Sequence, residues 1–290
     1  MPNMTVTTGA VFIPEVWLPE VQAFRRANLV AANRVKNINF VGKAGDVLRI
    51  PKLTELTANN KVAGTDVTFQ APTETEFSMT ISTHKEVSFL IEDILRVQSA
   101  YDLRREYTSN AGYVLAKAVD TSVLALASSL AAADIVIGSD GITAYNGTNE
   151  SDLTAAGLRR MLETLDTRNV PRDGLSLIVH PSQMNVLLGI DRFTEYQIGG
   201  PMAAEAQFKG FVGNVLGIPV FMTTLVAPGS SSDYRNLLLH RDAIILATQK
   251  DITINTDYLV EKIAYAVVMD EIYQAALFRS DHAVSFVTPA

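Results

Sequence analysis

Three glycines, Gly210, Gly213 and Gly217, punctuate the stretch GFVGNVLGIPVF. Glycine-rich loops are one way a backbone cradles phosphate, but the spacing G-x-x-G-x-x-x-G matches neither the dinucleotide fingerprint nor the P-loop. No Lys-Ser or Lys-Thr follows the last glycine, and Ile218-Pro219-Val220-Phe221 reads as the start of a strand, where a phosphate loop would open a helix. A tight turn feeding a strand accounts for the same letters, because glycine permits positive φ and a proline at a strand's first residue gives up no needed ladder donor. His180 and Ser182, in LSLIVHPSQM, resemble half of a nucleophile and base pair. The chain turns into a helix there, no G-x-S-x-G elbow occurs, and Ser182 as a helix N-cap is the simpler reading. The four histidines (His84, His180, His240, His282) are scattered without H-x-H or H-E-x-x-H spacing, and no carboxylate loop of calcium-binding form occurs. The acid pairs Asp270-Glu271 and Glu92-Asp93 place adjacent carboxylates on opposite faces of a strand, which spoils shared acid and base work. With zero cysteines, thiolate chemistry, disulfides and cysteine-ligated zinc are excluded. Neither a catalytic residue, a cofactor site nor a metal site is expected.

The elements that would position such groups have to be read next. At 290 residues and 48% hydrophobic, the chain buries one large core or two modest ones. A formal charge of −7 argues against a protein whose whole surface grips nucleic acid. No apolar run approaches the roughly 18–20 residues of a membrane helix, and MPNMTVTTGA lacks the order of a signal peptide, so a soluble, unexported chain is expected.

The start of the chain crowds Val11, Phe12, Ile13, Val16, Trp17 and Leu18 around Pro14 and ahead of Pro19. Prolines at that spacing limit regular structure and predict an extended arm or one short helix whose apolar groups still need burial. From Arg25 to Lys52 the chain carries seven Lys/Arg (25, 26, 34, 36, 43, 49, 52) against one acid, Asp46. A solvated charged face is the default reading of such a run. TETEFSMTISTHKEVSFLI alternates, with Phe77, Met79, Ile81, Val87, Phe89 and Ile91 on one side, and predicts one long half-buried strand. Asp46 to Pro51 can pair with it. The intervening tip, rich in Thr, Asn and Gly, is too long for a structureless loop in a compact domain, and an isolated hairpin is barely stable in water. Support from outside the subunit is therefore expected.

No proline interrupts Ala100 to Ala133, and Leu103, Tyr107, Ala111, Val114, Ala118, Ala125 and Leu126 fall near helical spacing. This predicts a spine helix about 45 Å long. From about residue 135 helices and strands alternate: a helix from Ser151 to Thr167 capped by Ser151 or Asp152, a buried strand LSLIVH, and a helix beginning near Ser182. NLLLH, AIILATQKDITI and IAYAVVMDEIYQAALF then give strands to the C-terminus.

This order of elements resembles the major capsid protein family of tailed bacteriophages, the Johnson fold shared with encapsulin shells. The stretches that carry the likeness are FLIEDILRVQSAYDLRREY leading into the spine helix with Asp120 in its later half, RNVPRDGLSLIVHPSQMNVLL, GNVLGIPVFMTTLV, LLLHRDAIILATQKDI and YAVVMDEIYQAALFRSDHAV. The resemblance implies an α+β chain in four parts: an N-arm (1–35), an E-loop hairpin (36–85), a P-domain with the spine helix (86–134 and 251–290) and an α/β A-domain (135–250). It implies a structural protein without enzymatic activity, which assembles through pentamers and hexamers into an icosahedral virion shell enclosing double-stranded DNA. The A-domain would point to the capsomer centre, the E-loop would lie over one neighbour, and the N-arm would reach another. Subunit contacts are expected at Phe12, Trp17, Leu18, Arg25, Arg26, Arg34, Lys52 and Lys61.

The implied partners are other copies of the chain, candidate scaffolding, portal and decoration proteins, and packaged DNA held without sequence specificity. No membrane is expected, and assembly would take place in the host cytoplasm. Only about 35 residues precede the E-loop, so a separate scaffolding protein, or none, is expected where some relatives carry a cleaved N-terminal segment. The rival readings are an encapsulin compartment and, from another class, an α/β hydrolase-like enzyme using His180.

Overall fold

The computed structural model describes residues 29–41, 45–94, 103–190, 213–228 and 233–289. In chain order the elements are β1 (Lys36–Asn39), β2 (Val47–Lys52), β3 (Thr75–Thr80), β4 (Thr83–Glu92), α1 (Leu103–Ala125), β5 (Ile135–Ile137), α2 (Ala155–Thr167), β6 (Leu175–Val179), α3 (Pro181–Leu188), β7 (Asn214–Val215), β8 (Ile218–Met222), β9 (Ala227–Pro228), β10 (Asp233–His240), β11 (Ile244–Leu259), β12 (Ala264–Leu277) and β13 (Ala283–Pro289). They form a seven-stranded sheet in the order β5-β13-β10-β6-β8-β7 with β9 beside β10, a four-stranded sheet β1-β11-β12-β4, and the hairpin β2-β3.

The seven-stranded sheet is buried on both faces, which is why β6, LSLIV, is buried at every position with only Ser176 interrupting its apolar run. Leu177, Val179, Leu238, Val284 and Phe286 face α2 and α3, against Leu158, Met161, Leu165 and Leu187. Ile178, Leu237, Leu239 and Val287 alternate to the other face and meet Val119, Val123, Leu124 and Ala127 of α1 and its extension. At the entry to α2, Thr154 caps the helix by accepting the Gly157 amide at 3.0 Å. A Cβ at Gly157 would overlap Gly138 O, so glycine is required there by contact rather than by φ.

The four-stranded sheet is covered on one face by the first half of α1, where Ala111 and Leu115 pack on Met269, Val87 and Phe89. α1 therefore crosses from one sheet to the other. By length and composition α1 with its 3-10 extension would pass for a membrane-crossing segment, a feature the sequence reading overlooked. Its packing against both sheets and its buried Asp120 assign it to the core. That carboxylate accepts three successive backbone amides from the incoming chain: Val30 at 2.6 Å, Ala31 at 3.1 Å and Ala32 at 2.9 Å.

Several sequence expectations change here. The single strand expected across residues 77–91 is two: β3 pairs with β2, β4 pairs with β12, and the break falls at Ile81, whose amide donates to Asp46 O at 2.7 Å. The face of α1 turned to the core is Ala111, Leu115, Val119, Val123 and Leu124, while Tyr107 and Val114 are exposed. α2 starts at Ala155 with Thr154 as its cap, not at Ser151 or Asp152. His180, not Ser182, caps α3. Replacing Asp120 with alanine orphans three amides that lie at the entry of the chain. The expected loss is about 2–4 kcal/mol in equilibrium denaturation of the unassembled subunit, and Asp120→Asn, which keeps one acceptor oxygen, should lose less. Gly157→Ala should be more damaging than a typical helix glycine substitution, which is favourable by about 1 kcal/mol when space allows; thermal unfolding checks the sign.

Candidate subunit-contact surfaces

The hairpin β2-β3 is anchored at its root and open at its tip. At the root, Met79 and Ile81 pack with Ile245 and Ala247 in a cluster that also takes in Leu48, Ile50, Ile272 and Phe278. Phe77 meets Phe278 edge-on at 5.2 Å, and Arg49 pairs with Glu76 at 2.9 Å. Beyond Lys52 every residue as far as Thr75 is exposed, including Leu53, Leu56, Val62, Val67 and Phe69, the last at 90%. The two limbs of the tip are held by polar bonds alone: Thr54 Oγ1 donates to Thr73 O at 2.5 Å, the Thr57 amide to Gln70 Oε1 at 3.0 Å, and Lys61 Nζ to Thr65 O. Such bonds shape the loop and bury little, so the five apolar side chains, 57–90% exposed, gain little stabilisation from their own subunit.

A second open surface lies between the first half of α1 and the ribbon β11-β12. A groove of about 680 Å³ runs there, floored by Ile254, Thr256, Val267 and Met269, with Arg104 and Tyr113 on its helical wall. At the tip of the ribbon Val260 and Ile263 are exposed, and Ile263 adopts φ 46, a conformation β-branched residues avoid.

The ribbon also holds two adjacent carboxylates in opposite electrostatic states. Two register shifts in β11, flanking Lys250, swing Lys250 and Thr253 onto the same side. There Asp270 accepts from Lys250 Nζ at 2.5 Å, Thr253 Oγ1 at 2.7 Å and His84 Nε2 at 3.0 Å. The bond from Lys250, then those from Thr253 and His84, hold the Asp270 carboxyl well below the usual carboxylate range. Glu271 points to the face under α1, only 7% exposed, and its Oε2 has no hydrogen-bond partner among the described residues. Burial first, and the nearby Asp251 charge second, push its carboxyl up to about 7. The two neighbouring carboxylates thus face opposite sides of the strand.

His180 and Ser182 meet: Nδ1 of His180 accepts the Ser182 amide at 3.3 Å and its hydroxyl at 2.9 Å. The pairing is a helix cap. Burial lowers the His180 pKa, and its ring stacks on Tyr234 at 3.6 Å. Around Gly213 and Gly217 the structure is the two-stranded turn β7-β8, with Leu216 at φ 52 and Gly217 at φ 82, both in the left-handed region. Gly210 lies outside the described residues.

Of the residues expected at subunit contacts, Phe12, Trp17, Leu18, Arg25 and Arg26 lie outside the described residues. Arg34 stacks on Phe221 of its own chain at 4.0 Å. Lys52 reaches Phe278, with Nζ 5.3 Å from the ring centre, and Lys61 sits in the open tip. The sequence reading passed over the exposed Phe69 and Val67 and the edge of the ribbon; the alternation of Val67, Phe69 and Ala71 in DVTFQA was the available signal.

A model of the family described as phage capsid protein matches residues 36–286. The chain belongs to that family. It is a structural capsid shell protein of the virion and not an enzyme, which removes the hydrolase reading of His180. Among solved structures, a chain of Mycobacterium phage Che8 aligns with TM-score 0.78 at 24% identity, covering 95% of this chain and 97% of that one. A chain of the capsid of cyanophage P-SCSP1u aligns with TM-score 0.80 at 16% identity, covering 97% and 94%. A chain of the mature capsid of bacteriophage PhiM1 gives TM-score 0.73 at 15% identity, covering 94% and 91%. These likenesses establish the fold, the α+β arrangement expected from the sequence. A search of curated proteins finds no match.

The two carboxylates give opposite pH dependences. Glu271 is raised from an ordinary value of 4.5 to about 7, so its contribution is neutral below pH 4.5, becomes unfavourable as pH rises, and reaches its full cost above pH 7. Glu271→Gln should therefore stabilise the unassembled subunit at pH 8 by roughly 2–3 kcal/mol and change little at pH 4. Asp270 is lowered, so its contribution is present above the ordinary carboxylate range and is lost only in strong acid. Asp270→Asn should then destabilise at every pH from 5 to 8. Urea denaturation across that range reads both.

Proposed function

We propose that the chain assembles with copies of itself, through pentamers and hexamers, into an icosahedral shell that encloses double-stranded DNA. The observation that carries this reading is the hairpin tip, where Leu53, Leu56, Val62, Val67 and Phe69 are exposed above an anchored root. A monomer that displays so many apolar groups on one projecting loop is suited to a neighbour's surface. The four-part organisation belongs to the same reading: N-arm 1–35, E-loop 36–85, P-domain 86–134 and 251–290, A-domain 135–250. The hairpin and its root fit the E-loop, and the groove along α1 fits a P-domain that receives other subunits. Because β13 lies in the seven-stranded sheet with β10 and β6, its residues are best counted with the A-domain layer.

Packaged DNA would meet a wall with a net charge of −7, which limits adhesion of the polyphosphate. Arg34 and Lys36 are engaged by Phe221 and Asp242 of their own chain, so Arg25 and Arg26 are the better residues of the basic run for contact with a neighbour. Scaffolding, portal and decoration proteins would join the shell during assembly in the host cytoplasm.

Electron microscopy of the protein expressed alone tests the reading directly: closed particles with pentameric and hexameric units are expected. A chain that remains monomeric at every concentration and ionic strength would overturn it. Phe69→Ser should leave the unfolding free energy of the monomer within about 0.5 kcal/mol of wild type, as for other exposed sites, while lowering shell yield or shell stability.

A further inference from the structure

The ribbon β11-β12 has an edge that its own chain covers only in part. β1 lies beside β11 as far as Thr248, and the turn at the ribbon's tip begins at Val260. Between them, from Asp251 to Leu259, no described strand lies outside β11, and most of these residues are exposed. The uncharged run Ile252-Thr253-Ile254-Asn255-Thr256 lacks the lysine or proline that commonly blunts an open edge. β4, at the other side of the sheet, does carry such charges at Lys85, Glu86 and Glu92.

We propose that this edge is a two-fold contact, in which β11 of one copy pairs antiparallel with β11 of a second copy about Asn255. The proposal rests on the reading that the chain assembles with itself. A two-fold axis normal to a sheet keeps each side chain on its own face, so the axis must pass through a residue and not between two. Centred on Asn255, Ile254 meets Thr256, Thr253 meets Asp257, Ile252 meets Tyr258 and Asp251 meets Leu259. No like charges oppose, and the Ile252–Tyr258 pair joins a β-branched to an aromatic side chain.

Other centres fail. Ile254 would set Asp251 against Asp257, Thr256 would set Asp251 against Glu261, and Asp257 would face itself. Thr253 would bring Tyr258 opposite Thr248, where β1 already holds the edge. Asn255 is also the midpoint of the open stretch, so each ribbon tip stops short of Asn39, the last residue of the partner's β1. Ile254, Thr256 and Tyr258, paired with Met269, Val267 and Tyr265 of β12, share the face turned to α1. The added strand therefore lays apolar side chains along the open side of the groove. One amide of the edge, that of Tyr258, donates to its own Asp257 carboxylate at 2.8 Å, a local bond that pairing would replace.

The absence of cysteine makes the test clean. In Asn255→Cys the new thiol faces its own copy, with opposed Cα atoms about 4.5–5.5 Å apart, within disulfide reach. In Thr256→Cys it faces Ile254 instead. Oxidised shells of Asn255→Cys should convert most of the monomer band to a covalent dimer on a non-reducing gel, and those of Thr256→Cys should not. Shells that form but give no Asn255→Cys dimer, or equal dimer from Thr256→Cys, overturn the two-fold register. Hydrogen exchange on wild-type shells reads the same edge without a variant: amides from Ile252 to Tyr258 should be protected relative to the unassembled subunit, and unprotected amides overturn the pairing. If the wild-type chain forms no shells at all, the assembly reading itself falls, and this proposal with it.

Discussion

Asp120 sits, buried, where α1 passes from the four-stranded to the seven-stranded sheet, and its carboxylate gathers the amides of Val30, Ala31 and Ala32. A buried carboxylate is tolerated only when its charge is met, and three convergent N–H groups meet it. The consequence is positional. With residues 30–32 tied to the helix, the next residues enter as β1, parallel to the first half of β11, and the chain leaves from there toward β2. The root of the hairpin is thereby set against Phe278 and Ile245, and the direction in which the tip projects follows from one helix and one acid.

The two larger sheets are unequal in a way that bears on assembly. The seven-stranded sheet has apolar layers on both faces and is fully determined within the subunit. The four-stranded sheet has one helix against one face, an open groove beside it, and, among the described residues, no strand alongside β11 from Asp251 to Leu259. Internal stability is thus concentrated in one half of the molecule and adhesive surface in the other. Threonine, asparagine and charged residues intersperse the apolar positions of the hairpin tip and break up its apolar surface, while each exposed large side chain holds about 1.5–3 kcal/mol in reserve for burial.

Much of this arrangement was legible in the sequence, and the misreadings have physical causes. The hairpin, the spine helix and the C-terminal strands followed from periodicity and the absence of proline. The alternation from Phe77 to Ile91 could not show that its two halves join different sheets, because Met79, Ile81 and Ile91 keep the same parity across the break. α1 is apolar on several sides, so counting apolar residues selected Tyr107 and Val114. The core face instead includes Asp120, an acid that pattern reading assigns to solvent. For α3 the signal was present and unused: a proline at 181 is favoured at the first helical position, which places the cap at His180. Contacts with other copies were legible only as unsatisfied chemistry, since no pattern within one chain specifies the surface that will cover it.

The bend in the ribbon joins these observations. An ion-paired Lys250–Asp270, reinforced by Thr253 and His84, fixes the two register shifts that separate the paired half of β11 from its open half. A bulge held by polar bonds is a rigid feature, because breaking it would strand a charge whose partners are already placed. The open half therefore leaves the body of the subunit at a set angle. Edges presented at a fixed angle can repeat one geometry around a closed surface, whereas edges on a floppy ribbon would admit many. The polar cluster on one side of β12 and Glu271 on the other, whose Oε2 has no hydrogen-bond partner among the described residues, then have complementary effects: the first locks the bend, and the second keeps the contact with α1 less than fully stabilised near neutral pH. The sheet that carries the adhesive edge is held firmly in shape but less firmly against its helix, so small adjustments between helix and sheet cost little while the edge keeps its form.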